Sequence, residues 1–138
     1  MNITEIQNEI IDEFAMFDDW EEKYQYMIDL GKSLPLIDPI FKTDDNIIQG
    51  CQSKVWLKGA PLDNKVIFTA DSDAIITKGI IAILIRVFSN QQPDAILSAD
   101  MSFIDEIGLK EHLSATRANG LVSMIKQIKM YALVLQNN

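Results

Sequence analysis

The chain has 138 residues, 48% of them hydrophobic and 23% charged, which is the composition of one globular domain with a sizeable core. Its 20 acidic and 12 basic residues give a formal net charge of -8 without a basic patch, which argues against nucleic acid as a partner. The most apolar stretch, residues 75–88, contains Lys78 and Arg86 and is shorter than the roughly 20 residues that span a membrane. We therefore expect a single domain over residues 1–138 that binds neither nucleic acid nor a membrane.

The amino-terminal part of the chain is predicted to form two helices. Thr4 is expected to cap the first, in which apolar residues recur at positions 6, 10, 11 and 14. Asp18 is followed three residues later by Glu21, which fits a capping box at the start of the second helix. Gly31 is the expected stop of that helix, and a proline-containing, extended stretch follows.

The centre of the chain is typical of an antiparallel hairpin. Residues 53–58 and 65–70 alternate between apolar and polar side chains, and residues 59–64 are expected to connect them as a loop. Asp71 or Ser72 then stands where a cap for the next helix is needed.

The rest of the chain is predicted to be helical. An apolar helix is expected over residues 73–88, with short helices near 94–97 and 103–107. Ser114 or Thr116 is expected to open a last helix with one apolar stripe. This order of elements predicts an α+β fold in which helices pack on one face of a small antiparallel sheet.

Cys51 is the only cysteine, so the chain has no internal disulfide, no thiol pair and no multi-thiolate metal site. It follows Gly50 and a polar turn sequence, which predicts a loop leading into the first strand. A lone cysteine is either a packed hydrophobic residue or a nucleophile. With one histidine and one cysteine, no metal site or cofactor site is expected.

Three other residues are candidates for a site. His112 is the only histidine, and Arg117 lies near a helix start, where the helix dipole disfavours a cation. Asp73 is expected to lie near a strand end. Cys51, His112 and Asp73 could form the nucleophile, base and orienting group of a cysteine hydrolase. A non-catalytic interaction domain in which Cys51 is simply packed is the remaining alternative.

The motifs of this chain, taken together and in order, resemble those of the SufE family of sulfur acceptors. They are Gly50-Cys51-Gln52-Ser53-x-Val55-Trp56, then Asp71-Ser72-Asp73-Ala74 with Lys78-Gly79-Ile80-Ile81-Ala82, and then His112-Leu113-Ser114 with Arg117-x-Asn119-Gly120-Leu121. An earlier block, Tyr24-x-x-Met27-Ile28-Asp29-Leu30-Gly31-Lys32, is similar to the family as well.

The resemblance implies a fold similar to that of the IscU-type scaffold proteins and a function in iron–sulfur cluster assembly. Such a protein takes sulfur from the persulfide of a PLP-dependent cysteine desulfurase (SufS- or CsdA-like), stimulates that enzyme, and passes the sulfur to a scaffold complex (SufBCD-like). Cys51 matches the acceptor, while Asp73 and Arg117 match positions near the acceptor loop or the desulfurase contact. His112 matches a family position without an assigned role. The SufE and CsdE branches, and a monomer or a homodimer, all stay open.

The chemistry of a sulfur carrier agrees with a single cysteine. A thiolate attacks the outer sulfur of a persulfide, and the product is again a persulfide. A second nearby thiol would release the sulfur as sulfide, and a cluster scaffold would need several thiolates. The unpaired thiol and the absence of a secretory signal predict a cytoplasmic protein. We expect the resting loop to turn the sulfur inward, covered by Ile47, Ile48, Val55 and Trp56.

Overall fold

The structure is a computed structural model that describes residues 1–136. Within that range the chain forms six α-helices and one antiparallel pair of strands. The elements are α1 (Ile3–Ala15), α2 (Trp20–Lys32), β1 (Val55–Leu62), β2 (Lys65–Ser72), α3 (Ile75–Phe88), α4 (Pro93–Leu97), α5 (Ser102–Glu106) and α6 (Ala115–Gln136). The predicted order of elements and the predicted α+β class are confirmed.

Both amino-terminal helices begin at a different residue from the predicted one. Asn2, not Thr4, caps α1: its side chain accepts from the Glu5 N–H at 2.8 Å, and the Glu5 carboxylate reaches back to the Asn2 N–H. Asp19, not Asp18, caps α2, since its carboxylate accepts from the N–H three residues further on at 2.9 Å. In each case the capping residue is the one with extended backbone, which the side-chain pattern alone does not show.

The hairpin has longer strands and a shorter turn than predicted. The strands pair from Val55 opposite Ser72 to Leu62 opposite Lys65, so the turn is Asp63–Asn64 alone and not the six-residue loop expected over 59–64. Their φ angles of 51° and 65° lie in the left-handed region, which Asp and Asn tolerate better than most residues. A tight turn with two such residues matches the natural twist of the strands, and pairing therefore extends to the tip.

One face of the hairpin forms part of the core. The alternate residues of β1 and β2 on this face are fully buried, and α3 and α6 contact the strands. These residues are Val55, Leu57, Val66, Phe68 and Ala70. Four of the six positions predicted for the apolar stripe of α6 are buried, namely Leu121, Met124, Ile128 and Ala132. Burial of apolar side chains, at about 25 cal/mol per Å², holds these layers together.

Helices α2 and α3 touch through their backbones. A Cβ atom on Gly79 would lie 2.4 Å from the carbonyl oxygen of Met27, and one on Gly31 would lie 3.1 Å from the Gly79 nitrogen. Gly31 was predicted as the stop of α2, but the helix continues to Lys32. Its absent side chain instead permits this close packing.

An arginine joins α1 to α3 at the protein surface. The guanidinium of Arg86 donates to both carboxylate oxygens of Glu13, at 2.7 and 2.5 Å, and to Glu9 at 2.8 Å. The hydrogen bond to Glu13, followed by that to Glu9, raises the pKa of Arg86. The bidentate geometry fixes the relative orientation of the two helices more than it stabilises them, since all three side chains are partly exposed.

None of the helices in residues 1–136 is both long and apolar enough to cross a membrane.

Replacing Gly79 by alanine should lower the free energy of unfolding by about 2 kcal/mol, because the added methyl group collides with the Met27 carbonyl and forces α2 and α3 apart. Urea unfolding followed by circular dichroism measures this. Ile75→Ala is the control, since Ile75 is 65% exposed on the same helix and should change stability by less than about 0.5 kcal/mol. Equal stability of G79A and wild type would show that the two backbones are not in contact.

Candidate functional site at Cys51

Cys51 lies on a short loop whose base is fixed by backbone pairing. Ile47 and Trp56 form an antiparallel bridge, and the Ile48 N–H donates to the Val55 carbonyl at 2.8 Å. Residues 49–54 therefore extend beyond the end of β1, and this confirms the predicted loop position of Cys51.

Glycine is required immediately before the cysteine. Gly50 has a φ of 92°, which is strained for any residue with a side chain. A Cβ atom there would also lie 2.5 Å from the Ser123 hydroxyl of α6. The loop thus turns at the one residue type that can both adopt this conformation and pass close to the helix.

The loop closes over a small cavity between α3 and α6. Its volume is about 60 Å³. The residues around it are Cys51, Gln52, Ser53, Thr77, Ile80, Thr116, Arg117, Gly120 and Met124. A space of about 10–15 Å³ on this measure holds one water molecule, so the cavity has room for more than one atom of that size.

The thiol of Cys51 points at the backbone of α6. Its Sγ lies 3.7 Å from the Gly120 carbonyl oxygen, and a Cβ atom on Gly120 would lie 3.3 Å from the sulfur. Cys51 is half-buried, and this burial raises the pKa of its thiol. With the loop in this position, the thiol therefore favours its protonated form, which is the less nucleophilic one.

The cover over the sulfur differs from the predicted one. Ile48 and Val55 are buried in the main core, and neither they nor Ile47 and Trp56 line the cavity. The cover comes from helices that are distant in sequence. Thr77, in α3, is the residue of this set whose significance the sequence analysis missed; its signal was the one hydroxyl in a helix whose other polar side chains, Lys78 and Arg86, are charged.

Asp73 fixes the carboxyl end of the Cys51 loop. Its carboxylate accepts from the Lys54 N–H at 3.1 Å, and its own N–H donates to the Lys54 carbonyl at 3.2 Å. The Ser72 hydroxyl donates to the same carbonyl at 2.9 Å. These bonds hold residues 72–74 in a non-helical conformation, so α3 begins at Ile75 and neither Asp71 nor Ser72 caps it, contrary to the prediction.

Asp71 holds the segment that precedes the loop. Its carboxylate lies 3.0 Å from the Lys42 ammonium and 3.5 Å from that of Lys78. Burial alone would raise the pKa of Asp71, but the hydrogen bonds from Lys42 and the Ser72 N–H, with the charges of both lysines, lower it. The Lys42 ammonium also lies 4.6 Å from the Trp56 ring centroid, which ties the approaching chain to β1.

Arg117 lies in the first turn of α6 and borders the cavity. Its N–H donates to the Ser114 hydroxyl at 3.2 Å, so Ser114 caps the helix. Ser114 is one of the two residues predicted for this role. The side chain is exposed, and no carboxylate of residues 1–136 forms an ion pair with it. A cation at the mouth of a cavity that holds a thiol is suited to an anionic sulfur.

His112 lies in a different environment. Its ring stacks on Trp20 with a centroid separation of 3.9 Å and an interplanar angle of 11°, and its Nδ1 is 3.0 Å from the Gly108 carbonyl. The Tyr24 hydroxyl donates to the His112 carbonyl. Neither His112 nor Asp73 lines the Cys51 cavity, so the structure does not assemble the set that a cysteine hydrolase would need.

No group of three or more His, Cys, Asp or Glu side chains in the described part of the chain could hold a metal ion. The fold and the site define a small α+β protein with one sheltered thiol on a glycine-hinged loop.

Comparisons with known proteins agree with this class. The family model described as "Fe-S metabolism associated domain", SufE, matches residues 8–132. An uncharacterized SufE-like protein of Rhizobium meliloti is 44% identical over 130 residues, which cover 91% of this chain and 93% of that protein. Another from Rhizobium etli is 41% identical over 132 residues, covering 92% and 89%. The chain therefore belongs to the SufE family, and its function lies in iron–sulfur metabolism.

The fold is shared with a solved structure of much lower sequence similarity. The solution structure of a hypothetical protein from Thermus thermophilus superposes with a TM-score of 0.81 and covers 96% of this chain and 97% of that one, at 16% identity. At this identity the likeness shows the fold alone.

Replacing Gly120 by alanine should separate the shelter of the thiol from the stability of the fold. The added methyl group would lie 3.3 Å from Sγ, and the loop, not the helix, should move. Alkylation of Cys51 by iodoacetamide should accelerate several-fold. The free energy of unfolding of G120A should equal that of wild type or exceed it by up to about 1 kcal/mol, because alanine favours a helix more than glycine does.

Ala118→Gly, two residues earlier in α6, is the matched control, since it should lower stability without changing the alkylation rate. Slow alkylation in G120A, at the wild-type rate, would contradict the contact between the thiol and α6.

Proposed function

We propose that this protein is a sulfur acceptor: Cys51 takes sulfur from the persulfide of a PLP-dependent cysteine desulfurase and passes it to an iron–sulfur cluster scaffold. One observation carries the proposal. The only cysteine of a SufE-family chain lies on a hinged loop, half-buried at a cavity of about 60 Å³ with room for a further atom.

The transfer needs one thiolate on each side. The Cys51 thiolate attacks the terminal sulfur of the desulfurase persulfide, the sulfur–sulfur bond of the donor breaks, and the donor cysteine leaves as a thiolate. Cys51 then carries the persulfide, and a thiolate of the scaffold takes the terminal sulfur in the same way. The protein needs neither a metal nor an oxidant for either step.

The buried and the reactive states of Cys51 must alternate. In the resting loop the thiol is protonated by virtue of its raised pKa and is hard to reach. A desulfurase that binds the open loop more tightly than the closed one would supply the free energy of opening. Gly50 is the residue at which the loop can rotate, and the bonds between Lys54 and Asp73 limit the movement at the other end.

The exposed residues beside the cavity suit a protein partner. Arg117 provides a cation at the mouth, and Asp73 lies at the loop's carboxyl end. We place the desulfurase contact, with a SufS- or CsdA-like enzyme, over these two residues, and the sulfur is handed on to a SufBCD-like scaffold. The cytoplasm is the compartment in which a lone carrier thiol stays reduced.

Cys51→Ser should abolish stimulation of the desulfurase and leave the fold intact, because serine cannot accept sulfur. After incubation with a cysteine desulfurase, PLP and cysteine, intact mass should show one added sulfur on the wild type and none on C51S. Ser53→Ala, two residues further along the same loop, is the control that keeps the thiol. Absence of the adduct on wild type, or turnover of a chromogenic ester by the protein alone, would overturn the proposal.

Asp73→Ala and Arg117→Ala should each weaken coupling to the desulfurase. Loss of one hydrogen bond or one charged contact, at about 1 kcal/mol, corresponds to a roughly fivefold higher concentration for half-maximal stimulation. D73A should also speed alkylation of Cys51 in the free protein, whereas R117A should not. Asp12→Ala, at an exposed position of α1, is the control for loss of one acidic charge. Unchanged titrations for both variants would exclude these residues from the contact.

A further inference from the structure

One buried polar side chain lines the cavity beneath Cys51, and the proposed transfer does not use it. Thr77 is 6% exposed and lines the cavity, whereas the polar residues Gln52, Thr116 and Arg117 at its rim are exposed. Thr77 belongs to α3, whose other buried residues are apolar or glycine. A hydroxyl in such a position is costly unless it has a hydrogen-bonding partner.

Within residues 1–136 the Thr77 hydroxyl has no such partner. Among the hydrogen bonds within residues 1–136, none involves this hydroxyl, and yet no fully enclosed side-chain oxygen or nitrogen of those residues is left unsatisfied. Its oxygen therefore keeps some accessible surface, and the cavity is the space that Thr77 lines. A donor beside a small cavity and a thiol is available to an occupant of that cavity.

The resting thiol does not need this donor. Its Sγ faces the Gly120 carbonyl at 3.7 Å, where a thiol donates its proton. A persulfide differs in two respects: the proton on Sγ has been replaced by the second sulfur, and the terminal S–H is more acidic than a thiol. The terminal sulfur is therefore an anion that accepts hydrogen bonds, and a carbonyl oxygen cannot stabilise it.

We propose that Thr77 is a positioning residue for the persulfide: its hydroxyl donates a hydrogen bond to the terminal sulfur of Cys51 while the loop is closed. This proposal rests on the proposed acceptor function. It adds that the cavity stabilises the closed loop more when Cys51 carries a persulfide than when it carries a free thiol. The loop would close more firmly after sulfur transfer than before it, and the sulfur would be protected from cytosolic thiols during transit.

The test compares Thr77→Val, which keeps the shape and removes the hydroxyl, with Thr77→Ser, which keeps the hydroxyl. Cys51 is loaded in two separate ways, by a cysteine desulfurase with cysteine and by inorganic polysulfide. In the second reaction the Cys51 thiolate attacks a sulfur of the polysulfide, one of its sulfur–sulfur bonds breaks, and the shortened polysulfide leaves. Dithiothreitol is then added: its first thiolate takes the terminal sulfur, and its second expels hydrosulfide as the ring disulfide closes. Intact mass follows the loss of the added sulfur.

The persulfide of T77V should be lost about tenfold faster than that of wild type, a factor that corresponds to roughly 1.4 kcal/mol and to the lower range for a hydrogen bond to a charged group. T77S should restore most of the wild-type lifetime. The alkylation rate of the unloaded thiol should be the same in T77V and wild type. If T77V instead loosened the whole loop, this rate would rise as well.

Equal persulfide lifetimes in T77V and wild type would overturn the proposal, and so would a parallel acceleration of thiol alkylation. If wild type accepts sulfur from polysulfide but not from the desulfurase, the acceptor function fails and the lifetimes still decide the role of Thr77.

Discussion

The approach of the Cys51 sulfur to the backbone of α6 is the constraint on which the rest of the site depends. The thiol reaches the Gly120 carbonyl because position 120 has no side chain, and a methyl group there would crowd the sulfur at 3.3 Å. The loop can follow α6 this closely because Gly50 also lacks a side chain where it passes Ser123. Two glycines, far apart in sequence, thus set how deeply the sulfur is buried.

Burial of a nucleophile is a compromise between protection and reactivity. In this protein the partial burial that raises the pKa of Cys51 also covers part of its sulfur. Protection and reactivity are both possible here because the residues that cover the sulfur lie on the helices α3 and α6, whereas the sulfur itself lies on a short loop that is fixed at both ends. Opening the loop would need to move only the six residues at 49–54, none of which is buried in the core. Under the proposed function, a partner that binds the open loop more tightly than the closed one exposes the thiol to the extent of that difference in affinity.

The contacts that fix the chain before and after the Cys51 loop are of different kinds. Upstream, Lys42 joins Asp71 and the ring of Trp56 through charge and cation–π contact. Downstream, Asp73 and Ser72 hold Lys54 through hydrogen bonds to its backbone. Since the acidic residues at 71 and 73 are engaged with the chain on both sides of Cys51, they act on the loop and not as caps of α3. This explains why a sequence that is typical of a helix cap does not cap the helix.

The sequence by itself determined the helices, the two strands, the α+β class and the loop position of Cys51, because periodicity and turn residues are local properties. Its motifs also identified the family. The tertiary structure decided what surrounds the sulfur. Ile48 and Val55 are close to Cys51 in sequence but turn into the core, whereas Thr77, Gly120 and Met124 line its cavity from helices that meet only after folding. The tertiary structure also decided that His112 lies away from the Cys51 cavity. Its ring stacks on Trp20, 92 positions earlier in the chain, and no local pattern shows such a contact. Alternation and spacing predict which face of an element is buried, but which buried faces meet is set by packing of the whole chain.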